Sequence, residues 1–183
     1  AGAAQNGDVR VRGVVTLPRL GVSPMEGLSI VAEPDTDGGL VLHVSTQCPG
    51  AVRVQTARSL QMPIEALRVV APRVGGGFGG KALGGVADYA VTAAVARRLG
   101  TAVRFVEDRN ANLTTMHGRG VHLRYELVAD TTARASRLEV RELCDAGAYP
   151  STNSVEPGKT HIMACGPYRI GALDFAARSV LTT

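Results

Sequence analysis

Tryptophan is missing from this 183-residue chain, aromatic residues make up only 4% of it, and lysine is almost missing too. Only Lys81 and Lys159 are lysines, so eighteen of the twenty basic residues are arginines (20 − 2). These arginines are dispersed along the chain, only Arg97 and Arg98 being adjacent. A nucleic-acid-binding chain would gather its charge into a stripe and interleave aromatic platforms, so no nucleic-acid partner is expected. Cysteine is scarce: Cys48, Cys144 and Cys165 are odd in number and widely spaced. No pair has the C-x-x-C spacing of a zinc or iron–sulfur site, and reduced thiols are expected. No apolar run is long enough to cross a bilayer, and the N-terminus lacks a charged region followed by an apolar core. The expectation is therefore a cytoplasmic chain without a membrane partner. What is present is a 45% hydrophobic sequence with a formal charge of +4, long enough for one sizeable core or two small lobes.

Glycine is the residue in surplus, 22 in all, and five of them surround one phenylalanine in Val74-Gly75-Gly76-Gly77-Phe78-Gly79-Gly80-Lys81. Glycine admits positive φ and lets backbone approach a ligand, at a cost in chain entropy that a plain turn does not justify. A glycine loop after a strand also offers bare N–H groups to an anion. Two common patterns nearly fit. The spacing Gly75-x-x-x-x-Gly80-Lys81 is that of a phosphate loop, but Ala82 stands where a Ser or Thr should hold magnesium. The spacing Gly75-x-Gly77-x-x-Gly80 fits a dinucleotide fingerprint, but no acid occurs near position 100 until Glu107.

The whole phrase resembles the signature of the molybdenum hydroxylases, the family of xanthine dehydrogenase, aldehyde oxidase and aerobic carbon monoxide dehydrogenase. Further phrases of that family follow in its order. They are Pro24-Met25-Glu26, Ser45-Thr46-Gln47, Val106-Glu107-Asp108-Arg109, His117-Gly118-Arg119, Asp145-Ala146-Gly147-Ala148-Tyr149 and Gly166-Pro167-Tyr168-Arg169. The resemblance runs from about Val9 to Thr183.

Read along the chain, residues 1–8 are a frayed end. Val9 to Leu17 form a strand, and Leu28–Glu33 with Leu40–Ser45 form a hairpin around the turn-rich Pro34–Gly39. Pro49 opens a helix whose apolar face is Ala51, Val54, Ala57 and Leu60. Leu67 to Ala71 feed the glycine loop. Val86 to Leu99 form an alanine-rich helix with Arg97 and Arg98 in its last turn and Gly100 as cap. Val103 to Val106 are a buried strand, which completes a βαβ-like unit aiming the loop at a ligand through the helix N-terminus. Val121–Val128 and Leu138–Arg141 form a hairpin around the turn Ala129–Ala135, Ser151–Lys159 is a loop, and Leu173–Leu181 is the last strand. His43 and His122 are read as strand residues and Glu26 as a loop acid.

The resemblance implies an α+β fold with mixed sheets and packed helices, one lobe of a molybdopterin-binding domain over residues 9–183, divisible into sub-lobes 9–107 and 108–183. It implies molybdopterin as cofactor, plain or as its cytosine dinucleotide, held by Gly76, Gly77, Phe78, Gly79, Gly80 and Lys81. Phe78 would wall the metal side, and Lys81 would reach a phosphate or carbonyl. Iron–sulfur and FAD groups belong to partner domains or subunits, with the remainder of the molybdenum-binding subunit as the nearest partner. The family's catalytic glutamate and its second cofactor loop lie in motifs beyond position 183. No catalytic residue or metal ligand is therefore assigned, although Glu26, Glu107 and Asp145 have suitable chemistry. The implied activity is water-derived hydroxylation of an aldehyde, N-heterocycle or similar small molecule; the alternative is an inactive binding or scaffold module. Leu20 stands where some members carry a glutamine facing the metal, and Ala82 where some carry a substrate-orienting glutamate.

Overall fold

The computed structural model describes residues 8–115, 118, 120–150 and 155–182. It divides into two compact units, Gly21–Gly118 and Ala1–Leu20 with Arg119–Thr183. The expected division at 107/108 differs from this one for a clear reason. Strand β1 (Val9–Leu17) pairs along its whole length with β6 (Gly120–Ala129), so the first strand belongs with the C-terminal sheet.

The unit Gly21–Gly118 is a four-stranded sheet covered by helices. Its strands are β2 (Ser29–Pro34), β3 (Leu40–Val44), β4 (Leu67–Val70) and β5 (Val103–Val106), in the order β4-β3-β2-β5. The pair β2/β3 is the expected hairpin, β4 runs parallel to β3, and β5 runs antiparallel to β2. Helices α1 (Pro49–Ser59) and α3 (Val86–Leu99) pack on each other and on this sheet. Alternate strand residues Ile30, Ala32, Leu40, Leu42 and Val44 meet Tyr89, Ala93 and Ala96 in the core. The helical positions 89, 92, 93 and 96 follow the i, i+3, i+4, i+7 stripe of one helix face. Burying each large aliphatic side chain there contributes about 1.5–3 kcal/mol.

Several expectations change here. The buried face of α1 is Val52, Thr56 and Ala57, while Val54 is 53% exposed. A strict three-residue spacing drifts around a helix of 3.6 residues per turn, and the i, i+4 pair wins. Strand β5 is a half-exposed edge, because only β2 pairs with it. Strands β4 and β5 are not neighbours either; β3 and β2 lie between them, so the βαβ-like unit is split. Two short helices, α2 (Gly80–Leu83) and α4 (Arg109–Thr115), and the 3-10 turn Ile64–Ala66 were not expected.

The other unit is a four-stranded sheet in the order β1-β6-β7-β8, with β7 (Ala135–Asp145) antiparallel to β6 and β8 (Ala172–Val180) parallel to β7. A parallel pair needs a crossover, and this one carries helix α5 (Glu156–Met163). The expected loop Ser151–Lys159 is thus corrected over 156–159, where Pro157 sits in a first helical turn that accepts it; residues 151–154 lie outside the described residues. Helix α5 packs on β8 and β7, and His161 stacks on Phe175 with ring centroids 5.0 Å apart. Among the described residues, no helix is long and apolar enough to cross a membrane.

Candidate functional site

The glycine loop between β4 and α2 is held from two sides. Glu26 holds its start. The Oε2 atom of Glu26 accepts the Gly75 N–H at 2.7 Å, the Lys81 ammonium at 3.0 Å and the Ser45 hydroxyl, while the Glu26 N–H donates back to the Gly75 carbonyl at 3.3 Å. Lys81 also donates to Ser45 Oγ at 2.6 Å, and its side chain is wholly buried. The carboxyl of Glu26 feels two opposing influences. Partial burial raises its pKa, but hydrogen bonds from Ser45, the Gly75 amide and Lys81, with the lysine charge, outweigh this and hold it below the ordinary glutamate value.

Gln47 holds the end of the loop. Its Oε1 accepts the Gly79 N–H at 3.0 Å, and its own N–H donates to the Lys81 carbonyl at 3.1 Å, which the Thr46 hydroxyl also reaches at 2.8 Å. Ser45, Thr46 and Gln47 follow directly on β3, so the central sheet fixes this end. The turn that carries Glu26 is fixed as well. Arg109, in the first turn of α4, donates to the carbonyls of Pro24 and Met25 at 2.6 and 2.8 Å and to Asn112 at 2.7 Å. Glu107 accepts from the Leu28 N–H at 3.1 Å and from Asn112 and Thr115. Two phrases far apart in sequence thus meet at the loop, and a third, Val106–Arg109, braces the first of them.

Each loop glycine has its own reason. Gly76 and Gly79 adopt φ of 97° and 90°, the left-handed region that side chains avoid. A Cβ on Gly75 would stand 2.6 Å from Glu26 Cβ, and one on Gly77 would stand 2.4 Å from Gln47 Oε1. Phe78 is not a glycine, yet its φ is 46° and its side chain is 78% exposed. A bulky residue in that region is strained, and no burial compensates here. Met25, next to Glu26 in the turn that anchors the loop, is 95% exposed as well.

The amide ledger of the loop is uneven. The N–H groups of Gly75 and Gly79 go to side chains, and that of Gly80 goes to the Gly77 carbonyl at 2.8 Å. Among the described residues, nothing accepts from the N–H groups of Gly76, Gly77 and Phe78, although Gly77 is buried. Three consecutive amides without a partner in the chain, the middle one on a buried residue, are available to an acceptor from outside it.

The expected site residues therefore fare differently. Gly76, Gly77, Phe78, Gly79 and Gly80 run consecutively through the loop, Phe78 exposed and Gly77 buried. Lys81 does not belong with them: its ammonium points inward to Glu26 and Ser45, because a buried cation needs a partner. Nor does the loop run into the N-terminus of α3, since α2 and Gly84-Gly85 intervene. Glu26, read from sequence as a loop acid, is the hub. Asp145 lies in the other unit and accepts from Arg19 at 2.9 Å and from Thr182 and the Gly147 N–H. His43 meets Glu33 at 3.1 Å and His122 meets Thr16 at 3.1 Å. His117 and Arg119 lie outside the described residues. Cys48, Cys144 and Cys165 form no disulfide, and no cluster of three metal-binding side chains occurs among the described residues.

Comparison with known proteins agrees with this geometry. The chain is 31% identical over 182 residues to the carbon monoxide dehydrogenase large chain of Hydrogenophaga pseudoflava, covering 97% of this chain and 22% of that one. It is 34% identical over 152 residues to an indole-3-acetaldehyde oxidase of Arabidopsis thaliana, covering 82% of this chain and 11% of that one. It spans at most about a fifth of the length of these two relatives. Among solved structures, quinoline 2-oxidoreductase from Pseudomonas putida 86 superposes with a TM-score of 0.82 at 31% identity, over 94% of this chain and 22% of that one. The aldehyde oxidoreductase of Desulfovibrio desulfuricans, at 17% identity and a TM-score of 0.83 over 97% of this chain and 20% of that one, shares the fold. The profile of one domain family matches residues 1–183 from end to end, and by that match the chain belongs to the molybdopterin cofactor-binding domain family.

Proposed function

We propose that the Gly76–Gly80 loop holds the molybdopterin cofactor of a molybdenum-dependent hydroxylase or dehydrogenase. The observation that carries this reading is the run of three unpartnered amides, Gly76, Gly77 and Phe78, in a loop pinned at both ends. An oxygen-rich, anionic pterin phosphate fits such donors, since each free N–H offers a hydrogen bond without a side chain in the way. The exposed Phe78 ring supplies an apolar wall beside them and excludes water from that flank. Gly79 and Gly80 give up their own amides internally and contribute the close approach of bare backbone. A bound molybdenum cofactor supplies the redox chemistry that turns a C–H bond into C–OH with oxygen from water. This chain's residues bind and orient the group. The similarity to carbon monoxide dehydrogenase and aldehyde oxidase chains supports an aldehyde, N-heterocycle or comparably small substrate. Iron–sulfur and flavin groups would come from partner domains or subunits.

The test is the molybdenum and pterin content of the full-length protein carrying Phe78→Ala or Gly77→Ala. Content reduced several-fold in folded protein is the expected result. Content equal to wild type in both variants would remove the loop from the cofactor site.

A further inference from the structure

We infer that Glu26 is a positioning residue for the cofactor loop and that Lys81, with Ser45, serves it from inside. This rests on the reading of Gly76–Phe78 as the cofactor-contacting segment. Glu26 Oε2 carries three donors at once, and one of them, the Gly75 N–H, is the amide immediately before the three free ones. The Glu26 N–H donates back to the Gly75 carbonyl, so both polar groups of that peptide neighbourhood are fixed. Glycine at 75 allows this approach, since any Cβ there would collide with Glu26 Cβ at 2.6 Å.

A glycine run left to itself samples both signs of φ. Holding the free amides in one orientation requires a rigid anchor on each side. Gln47 supplies one through Gly79, and Glu26 supplies the other. Lys81 keeps Glu26 ionised and in place: its wholly buried ammonium has two acceptors, Glu26 and Ser45, and no reach to the loop surface. Charge-assisted hydrogen bonds of this kind are about twice as strong as neutral ones. The consequence separates two readings of the lysine. A lysine that touched the cofactor would be indispensable for loading. A lysine that only seats Glu26 would be replaceable by an apolar side chain of similar length, because the carboxylate would keep Ser45 and the Gly75 amide.

The experiment compares Glu26→Gln, Lys81→Met and the double variant Glu26→Leu/Lys81→Met in the full-length protein. Glu33→Gln serves as a charge-matched control away from the loop. Three quantities are read: molybdenum per chain, hydrogen exchange of the peptide covering residues 74–80, and the thermal midpoint. Glu26→Gln leaves the buried Lys81 ammonium without its carboxylate, whereas the double variant strands no buried charge and so remains folded. It is expected to keep a thermal midpoint near wild type, to exchange at 74–80 at least tenfold faster, and to retain less than a third of the molybdenum. Lys81→Met is expected to keep molybdenum within twofold. A double variant with wild-type exchange and molybdenum overturns the inference, as does a molybdenum loss in Lys81→Met as large as in the double variant. Failure of the underlying reading looks different. Exchange would accelerate in the double variant while molybdenum stayed in place there and in Gly77→Ala, which removes the loop from the cofactor and leaves the clamp standing.

Discussion

The side chain of Gln47 fills the space in which a β-carbon on Gly77 would stand, 2.4 Å from the Gln47 Oε1 atom, and that same oxygen accepts the Gly79 N–H. Packing and hydrogen bonding at the loop are therefore one interaction. Gly77→Ala must push Gln47 aside and break its bond to Gly79, a loss of about 1 kcal/mol with further cost from crowding. Gln47→Ala breaks the same bond. The two substitutions are expected to be strongly non-additive, the double variant being little less stable than either single one. Gly79→Ala differs, because its Cβ would meet nothing within 4 Å while its φ of 90° strains any side chain. It should cost about 1–2 kcal/mol for the left-handed backbone and add to Gln47→Ala. Denaturant unfolding of the three single variants and the two pairs checks both statements.

Phe78 sits at a φ of 46° with most of its ring in solvent, so it weakens the fold that carries it. Asparagine adopts this region more readily than phenylalanine does. Phe78→Asn is expected to leave the folded state as stable as wild type or up to about 1 kcal/mol more stable. The same variant should retain less molybdopterin, having lost the apolar wall. A gain or no change in thermal midpoint together with reduced cofactor content is the expected pair of results. A destabilised variant would show that the ring contributes to packing after all.

Acidification should act on the loop through Glu26. Its folded-state pKa lies below the ordinary value, with partial burial opposing the hydrogen bonds from Ser45, the Gly75 amide and Lys81 that lower it. A depressed carboxyl contributes stability that is fully present above the unfolded pKa. That contribution is lost as pH falls through the folded pKa. Stability and slow exchange at residues 74–80 should therefore persist through neutral pH down to the ordinary glutamate range and decline below it. The difference between wild type and Glu26→Gln should shrink over that same interval. A difference that stayed constant down to pH 3 would show that ionisation of Glu26 does not hold the loop.

Much of the sheet framework was legible in the sequence, and the reasons are physical. Strands β1, β6, β7 and β8 alternate with period two, and the hairpin β2/β3 is punctuated by the turn residues between Pro34 and Gly39. Helix α3 carries its stop signals in Arg97, Arg98 and Gly100, whose φ of 65° is the left-handed cap expected of it. The glycine loop stood out by composition alone. What was not legible depended on contacts between distant residues. No local pattern says that β1 pairs with β6 and not with β2, or that β5 is an edge. Helix α4 is seven residues long and is organised by Arg109 and Glu107 reaching residues 24–28, so its own sequence shows no apolar stripe. The family phrase led to Lys81 as a residue reaching a phosphate or carbonyl, and its wholly buried place is legible only once Glu26 and Ser45 are seen beside it.

Arg53 is a structural counterpart to these loop contacts, at the strand that leads into the loop. Its guanidinium donates to the Ile64 carbonyl at 3.1 and 2.8 Å and to the Leu67 carbonyl at 2.7 Å, joining α1 to the 3-10 turn and the start of β4. The planar fork serves two carbonyls at once, and a lysine ammonium on a flexible stem does not reproduce that geometry. Arg53→Lys is expected to lose most of what Arg53→Ala loses, about 1–3 kcal/mol.

Arg109 makes the corresponding prediction for the outer wall of the site. Its terminal nitrogen bonds the carbonyls of Pro24 and Met25, and its other nitrogen bonds Asn112, so one guanidinium ties α4 to the turn that presents Glu26. Lysine can reach one of these carbonyls at a time. In Arg109→Lys the turn should therefore be held less tightly, at a cost of about 1–2 kcal/mol, and Glu26 should sample positions in which it no longer meets the Gly75 amide. Faster hydrogen exchange is expected in two separate peptides, residues 22–28 and 74–80, with residues 40–44 of the central strand β3 unchanged. If only residues 22–28 respond, the turn moves without carrying Glu26 with it. Glu26 would then be kept on the Gly75 amide by Ser45 and Lys81 alone, and the tie from Arg109 would stabilise the turn for its own sake.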